Sequence, residues 1–189
     1  MPGTEAIVLA AGAGRRFGRG KLIADWRGQP LIRWSVAAAH ASQTGRVTVI
    51  LGSDAERVHA VLDPEIATQV CLDWEEGIAA SLRCGLSILD PATDAVLIFL
   101  GDMPLLSPGL GARLLREVAR NAPAAIAEYR GTAAHPVAVH RSVFPLLMEL
   151  SGDHGARSLL SGLTGVRLIE TNDPGSIFDV DTASHERGE

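Results

Sequence analysis

The sequence predicts an α/β fold, a single three-layer α/β/α domain over residues 1–189 with a mainly parallel, Rossmann-like sheet. Three observations point there. Short apolar runs alternate with segments of helical period along nearly the whole chain. Three of those runs, Ala6-Ile-Val-Leu-Ala-Ala11, Val47-Thr-Val-Ile-Leu51 and Ala95-Val-Leu-Ile-Phe-Leu100, lack the polar alternation of a half-exposed strand. They suit parallel strands covered on both faces. At 189 residues the chain is also long enough to bury a core without disulfide or metal staples.

In chain order, 6–11 is the leading strand and 30–42 the first helix. The strand 47–51 follows and ends at Gly52, with a helix at 55–62. A weaker strand signal covers 66–72, before a helix at 77–89. The strand 95–100 ends at Gly101. Helices are expected at 108–120, 142–150 and 156–162, with Ser107-Pro108 reading as an N-cap followed by a first-turn proline. Further strands are expected at 124–128, 136–140 and 166–170. Strands separated by helices imply right-handed crossovers, and such sheets bind ligands beyond their carboxyl ends.

Composition excludes several function classes. Hydrophobic residues make up 47% and charged residues 21%, as in a globular chain. Seventeen Lys and Arg against 22 Asp and Glu give a net charge of -5, which disfavours nucleic acid or an anionic membrane as partner. No apolar run is long enough to span a bilayer, and no secretory pattern is visible. Cys71 and Cys84 form no CxxC pair and read as buried free thiols of a reducing, cytoplasmic compartment.

The first strand runs into Ala11-Gly-Ala-Gly-Arg-Arg-Phe-Gly-Arg-Gly-Lys21. Its glycines expose backbone N–H groups, and Arg15, Arg16, Arg19 and Lys21 add positive charge. After the first strand of a parallel sheet, such a loop suits a polyphosphate. It is not a Walker loop: Arg15 stands where the first glycine belongs, and Leu22 follows Lys21 in place of Ser or Thr. It is not a dinucleotide fingerprint either, because Phe17 replaces the third glycine.

Gly101-Asp102-Met103-Pro104 follows the 95–100 strand. An aspartate there is held at the ligand edge, where it can meet a phosphate-bound cation. In Asp179-Val-Asp181, an extended backbone would put both carboxylates on one face. His135 and His140, five apart, would face opposite sides of a strand, and no His/Cys group has structural-zinc spacing. Trp26, Trp34 and Trp74 read as packing residues, Trp74 at the edge of a pocket, and Cys84 as a core residue.

These residues carry a resemblance. Leu9-Ala-Ala-Gly-x-x-x-Arg-Phe-Gly with Lys21, followed by Gly101-Asp-Met-Pro104, resembles the MobA-like nucleotidyltransferases, and among them the molybdenum cofactor cytidylyltransferases of the MocA kind. Trp74-x-x-Gly77-x-x-x-Ser81-Leu-Arg83-x-Gly85, His135-Pro-Val137, Gly152-Asp-x-Gly-Ala-Arg157 and Asp179-x-Asp-Thr182 fit in the same order. Asp73 and Ala134 depart from the asparagine and glycine usual there. The resemblance implies a sheet of the nucleotide-diphospho-sugar transferase type. It also implies Mg²⁺-dependent transfer of CMP from CTP to the terminal phosphate of molybdopterin, with release of pyrophosphate. By the same resemblance Leu9, Ala10, Ala11, Gly12, Ala13, Gly14, Arg15 and Lys21 hold the nucleotide, with Ser81 near the base or ribose and Gly101 beside it. Lys21, Arg15 and Asp102 are the catalytic set. Asp102 and Asp181 bind the metal. His135, Pro136, Asp153, Gly155 and Arg157 take the acceptor.

Two alternatives stay open: a MobA-like transferase using GTP or another phosphorylated acceptor, and a non-catalytic accessory protein delivering cofactor to a molybdoenzyme. The expected partners are the nucleotide, the acceptor and a recipient molybdoenzyme, with the chain a monomer or weak oligomer.

Overall fold

A computed structural model of the chain describes residues 3–14 and 20–180. Its elements follow the order read from the sequence. They are β1 (Thr4–Ala10), a hairpin of β2 (Asp25–Trp26) and β3 (Gln29–Pro30), α1 (Leu31–His40), β4 (Arg46–Leu51) and α2 (Ala55–Val61). Next come β5 (Ala67–Val70), α3 (Ile78–Ser87), β6 (Ala95–Leu100), α4 (Leu110–Ala119), β7 (Ala124–Tyr129) and β8 (Thr132–His140). The chain continues through α5 (Phe144–Met148), α6 (Ala156–Leu160) and β9 (Arg167–Glu170).

Seven strands form one sheet in the order β5-β4-β1-β6-β8-β7-β9. β5, β4, β1 and β6 run parallel, and β7 pairs parallel with β9; β8 is antiparallel to both its neighbours. Alternation along each strand feeds two cores. Ala6, Val8 and Ala10 of β1 and Leu97 and Phe99 of β6 pack with Ile32 and Val36 of α1, Val58 of α2 and Leu114 of α4. Ile7 and Leu9, with Val96 and Ile98, pack on the other face with Leu82 and Leu86 of α3, Leu147 of α5 and Leu160 of α6. Both faces are covered, which is why these strands lack a polar side. The three-layer α/β/α class is as expected.

Some details differ. The Ser107-Pro108 cap is not formed: α4 starts at Leu110, and Gly109, at φ +85°, stands at its cap. The Ser107 N–H instead donates to the Asp173 carboxylate at 2.7 Å, so this segment is drawn to a later turn. The hairpin β2–β3 was not foreseen. It turns at Arg27 and Gly28, both at positive φ, and delivers Trp26 to a small cluster with Leu31 and Val180. Of the two free thiols, Cys71 is buried but Cys84 only partly so. Burial, then neighbouring Cys71, pushes the Cys84 thiol up to about 11, so it is no nucleophile at neutral pH. Among the described residues, no helix is long and apolar enough to cross a membrane.

Candidate functional site

The carboxyl ends of β1, β4 and β6 open into a cleft of about 440 Å³. Its floor is the chain leaving β1: Leu9, Ala10, Ala11, Gly12, Ala13 and Gly14 all line it. Ala11 is held against β4, since the Ser53 N–H donates to its carbonyl oxygen at 3.2 Å. A Cβ on Gly52 would lie 2.7 Å from the Ala11 methyl, so only glycine allows this approach. The Ala11 methyl therefore faces Gly52.

Across the cleft, Lys21 meets Asp102. The Gly20 carbonyl accepts from the N–H groups of Ile23 and Ala24, each at 3.1 Å, and winds residues 21–23 into a single tight turn. From that turn the Lys21 Nζ donates to Asp102 Oδ2 at 2.7 Å. Lys21 is 11% and Asp102 26% exposed, so the pair is reachable from the cleft yet partly shielded from solvent screening. Gly101 holds Asp102 at the strand end by donating its N–H to the Leu9 carbonyl at 2.9 Å. The Asp102 carbonyl in turn accepts the Val180 N–H at 3.1 Å, which draws the late chain to this strand.

The wall opposite β1 comes from α3. Ser81, one turn into that helix, is 5% exposed and lines the cleft. Asp153 lines it too. Its loop is pressed on the start of α3: the Ala79 N–H donates to the Gly152 carbonyl at 3.1 Å. Gly77 has φ +107°, and a Cβ there would lie 2.5 Å from the Gly152 oxygen and 2.6 Å from Asp153 Oδ1. Glycine is required at 77 on both counts.

His135, Pro136, Gly155 and Arg157 do not line this cleft, although the Arg157 charge acts on His135. Arg157 donates to the Ala133 carbonyl at 3.0 Å, and a side chain on Gly155 would touch Ile78. Burial, then the Arg157 charge, lowers His135 to about 4, so it is neutral at pH 7. Its Nδ1 is buried with no hydrogen-bond partner among the described residues. Arg15, Arg16, Arg19 and Asp181 lie outside the described residues. Sequence reasoning missed Asp54, Glu75 and Leu22, which also line the cleft. Asp54 carried no separate signal, since an acid just before a helix reads as an ordinary cap.

The donor set bears on a metal. Among the described residues no group of three or more His, Cys, Asp or Glu could hold one. Asp102 offers a single carboxylate beside a cleft with a glycine-rich floor. That suits a hard cation held by one or two carboxylates, substrate phosphates and water, and does not suit an all-protein cage.

The chain is similar in sequence and fold to several known proteins. Residues 6–168 match the family described as the MobA-like NTP transferase domain. The purine catabolism protein PucB of Bacillus subtilis is 30% identical, over 93% of this chain and 90% of its own. The nicotine blue oxidoreductase of Paenarthrobacter nicotinovorans is 31% identical, over 96% and 94%. The bifunctional protein GlmU of Trichlorobacter lovleyi is 32% identical over 64% of this chain, which spans only 27% of GlmU. Among solved structures, Rv0371c of Mycobacterium tuberculosis H37Rv superposes with a TM-score of 0.87 at 28% identity, covering 98% of this chain and 95% of that one. A second Rv0371c structure, in complex with manganese, gives 0.82 at 26%, covering 98% and 96%. The match over residues 6–168, together with relatives of 30–31% identity that are covered almost end to end, shows that the chain belongs to the MobA-like NTP transferase domain family of nucleotidyltransferases.

Proposed function

We propose that residues 1–189 act as one cytoplasmic domain that transfers CMP from CTP to the terminal phosphate of molybdopterin, with Mg²⁺ and release of pyrophosphate. The observation that carries this reading is the Lys21–Asp102 pair at 2.7 Å across the cleft from the Leu9–Gly14 backbone. The backbone N–H groups of 11–14, with Arg15, cradle the triphosphate. An acceptor phosphate oxygen attacks the α-phosphorus, and the bond from that phosphorus to the β-phosphate bridging oxygen breaks. Pyrophosphate leaves with the bonding pair, and Lys21 neutralises the charge that moves onto it. Such a displacement needs positioning and charge neutralisation, and no covalent nucleophile.

Asp102, with Asp181, would hold the cation, which when bound supplies Lewis-acid neutralisation of phosphate oxygens. Ser81 and the backbone of 9–11 orient the nucleoside. Asp153, with His135, Pro136, Gly155 and Arg157, forms the acceptor side. Neutral His135 can donate or accept a hydrogen bond there without adding charge. Product passes to a recipient molybdoenzyme.

One observation favours a second reading with GTP. The Ala11 methyl is buried against Gly52, so it does not by itself exclude a purine. An accessory protein without catalysis is disfavoured by the part-buried Lys21–Asp102 pair, which sets a cation and a carboxylate at the edge of the cleft. Acceptor-dependent pyrophosphate release, with molybdopterin and each of the four nucleoside triphosphates in turn, tests all three. Release with CTP above GTP is expected. Greater release with GTP transfers the assignment to the second reading, and no release with any nucleotide sinks the enzymatic one.

A further inference from the structure

On the reading that Lys21 meets the triphosphate, we propose that Asp54 is the positioning residue that holds it there, acting through Gly20. Asp54 stands at the N-cap of α2, where an aspartate ordinarily accepts from its own helix, yet its side chain makes no cap hydrogen bond. Its Oδ2 accepts instead from the Gly20 N–H at 3.1 Å, 34 residues away in sequence. The bond is long-range, and it crosses from the end of β4 to the far end of the glycine-rich loop.

Gly20 is the right atom group to hold. It is buried, at φ +91°, and its carbonyl starts the turn that carries Lys21. Arg57 stands beside the same point. Its guanidinium lies 3.6 Å from Asp54 Oδ1, and a Cβ on Gly20 would sit 3.3 Å from it. The contacts thus run in series: Arg57 to Asp54, Asp54 to Gly20, and Gly20 to the Lys21 turn, whose ammonium reaches Asp102.

The chemistry explains why a carboxylate stands beside a phosphate cleft. Asp54 lines that cleft, and an uncompensated negative charge there would repel the nucleotide. Arg57 neutralises it, and Gly20 consumes one oxygen. What remains is an acceptor aimed at a backbone N–H, a task that an amide oxygen can also perform. The carboxylate is therefore replaceable by Asn but not by Ala.

The test is a double-mutant cycle read by the Kd for CTP in the presence of Mn²⁺, which needs no acceptor. Lys21→Ala is expected to weaken binding at least ten-fold, and Asp54→Ala by roughly ten-fold, the cost of losing a charge-assisted hydrogen bond. Asp54→Ala added to Lys21→Ala is expected to cost nothing further, because the lever no longer moves anything. Asp54→Asn, which keeps an acceptor for Gly20, is expected to recover most of the binding lost in Asp54→Ala, while the thermal unfolding midpoint falls in Asp54→Ala, which strands the buried Gly20 N–H, and much less in Asp54→Asn. Additive losses, or tight binding by Asp54→Ala where Lys21→Ala is weak, overturn the role of Asp54 alone. If both single variants bind as the unaltered protein, the phosphate reading of Lys21 falls, and this one falls with it.

Discussion

Two carboxylates at opposite ends of neighbouring parallel strands have opposite characters. Glu5, at the start of β1, accepts from Arg46 Nε at 2.7 Å, from the Asp90 N–H at 2.7 Å and from the Thr93 hydroxyl. Burial alone would raise its pKa, but Thr93, the Asp90 N–H and Arg46 outweigh burial and leave it below the usual 4.5. Asp102, just past β6, accepts from the ammonium of Lys21, at the end of a four-carbon stem. One carboxylate is locked by fixed donors from three segments. The other is paired with a group that can swing to a new anion, leaving oxygen for a cation. Saturation marks the amino edge as structural, and on the proposed function the carboxyl edge is the working one.

Asp102→Asn should break the working edge while sparing the fold. Turnover at ordinary Mg²⁺ is expected to drop by at least about 10²–10³, with an unchanged unfolding midpoint. Near-normal turnover would remove Asp102 from the metal site. Glu5→Ala should do the reverse. It strands a backbone N–H and a hydroxyl, and a loss of about 2–3 kcal/mol in urea unfolding is expected. Half-exposed Arg46 contributes little to that figure. Rates per folded molecule should not change; a variant as stable as the parent would make Glu5 as idle as any surface acid.

Acid sharpens the contrast. His135 falls from its usual 6.5 to about 4 on folding. Between those values the unfolded chain binds the extra proton and the folded chain does not, so stability is lost as pH falls through that window. Glu5, depressed from 4.5, adds its own loss only below that value. Unfolding midpoints from pH 7 to pH 3 should therefore decline in two stages, and His135→Asn should remove the first. A flat profile down to pH 4.5 in the unaltered protein would contradict the burial of that imidazole. The smallest effect is expected at Ala11. With its methyl against Gly52, Ala11→Gly should shift the ratio of CTP to GTP use by less than about ten-fold. A larger shift would mean that the methyl reaches the base.

Much of the frame was legible because local pattern and global packing agree. The runs at 6–11, 47–51 and 95–100 are apolar on both faces since helices cover both, and nothing in the tertiary structure overrides that. Lys21 and Asp102 were legible for a different reason, because each stands at a fixed offset from a strand end. Asp54 was not. Its role depends on a partner 34 residues earlier, and as an acid before a helix it reads as an ordinary cap. The cap at Ser107 failed in the same way, when Asp173 claimed its N–H. The Trp26 hairpin was missed because two-residue strands give no periodicity to count. Local rules described elements well. They could not rank competing long-range partners.

The contact between Gly77 and Gly152 has a consequence for diversification. The wall that carries Ser81 and the loop that carries Asp153 are spaced there by bare backbone, 2.5 Å from where a Cβ would stand. No side chain fits at 77 without straining the backbone and forcing the Asp153 loop off the start of α3, so the bare glycine sets how closely the two approach. A lineage, or a designer, that refits the 152–157 segment to a differently sized guest must therefore keep Gly77.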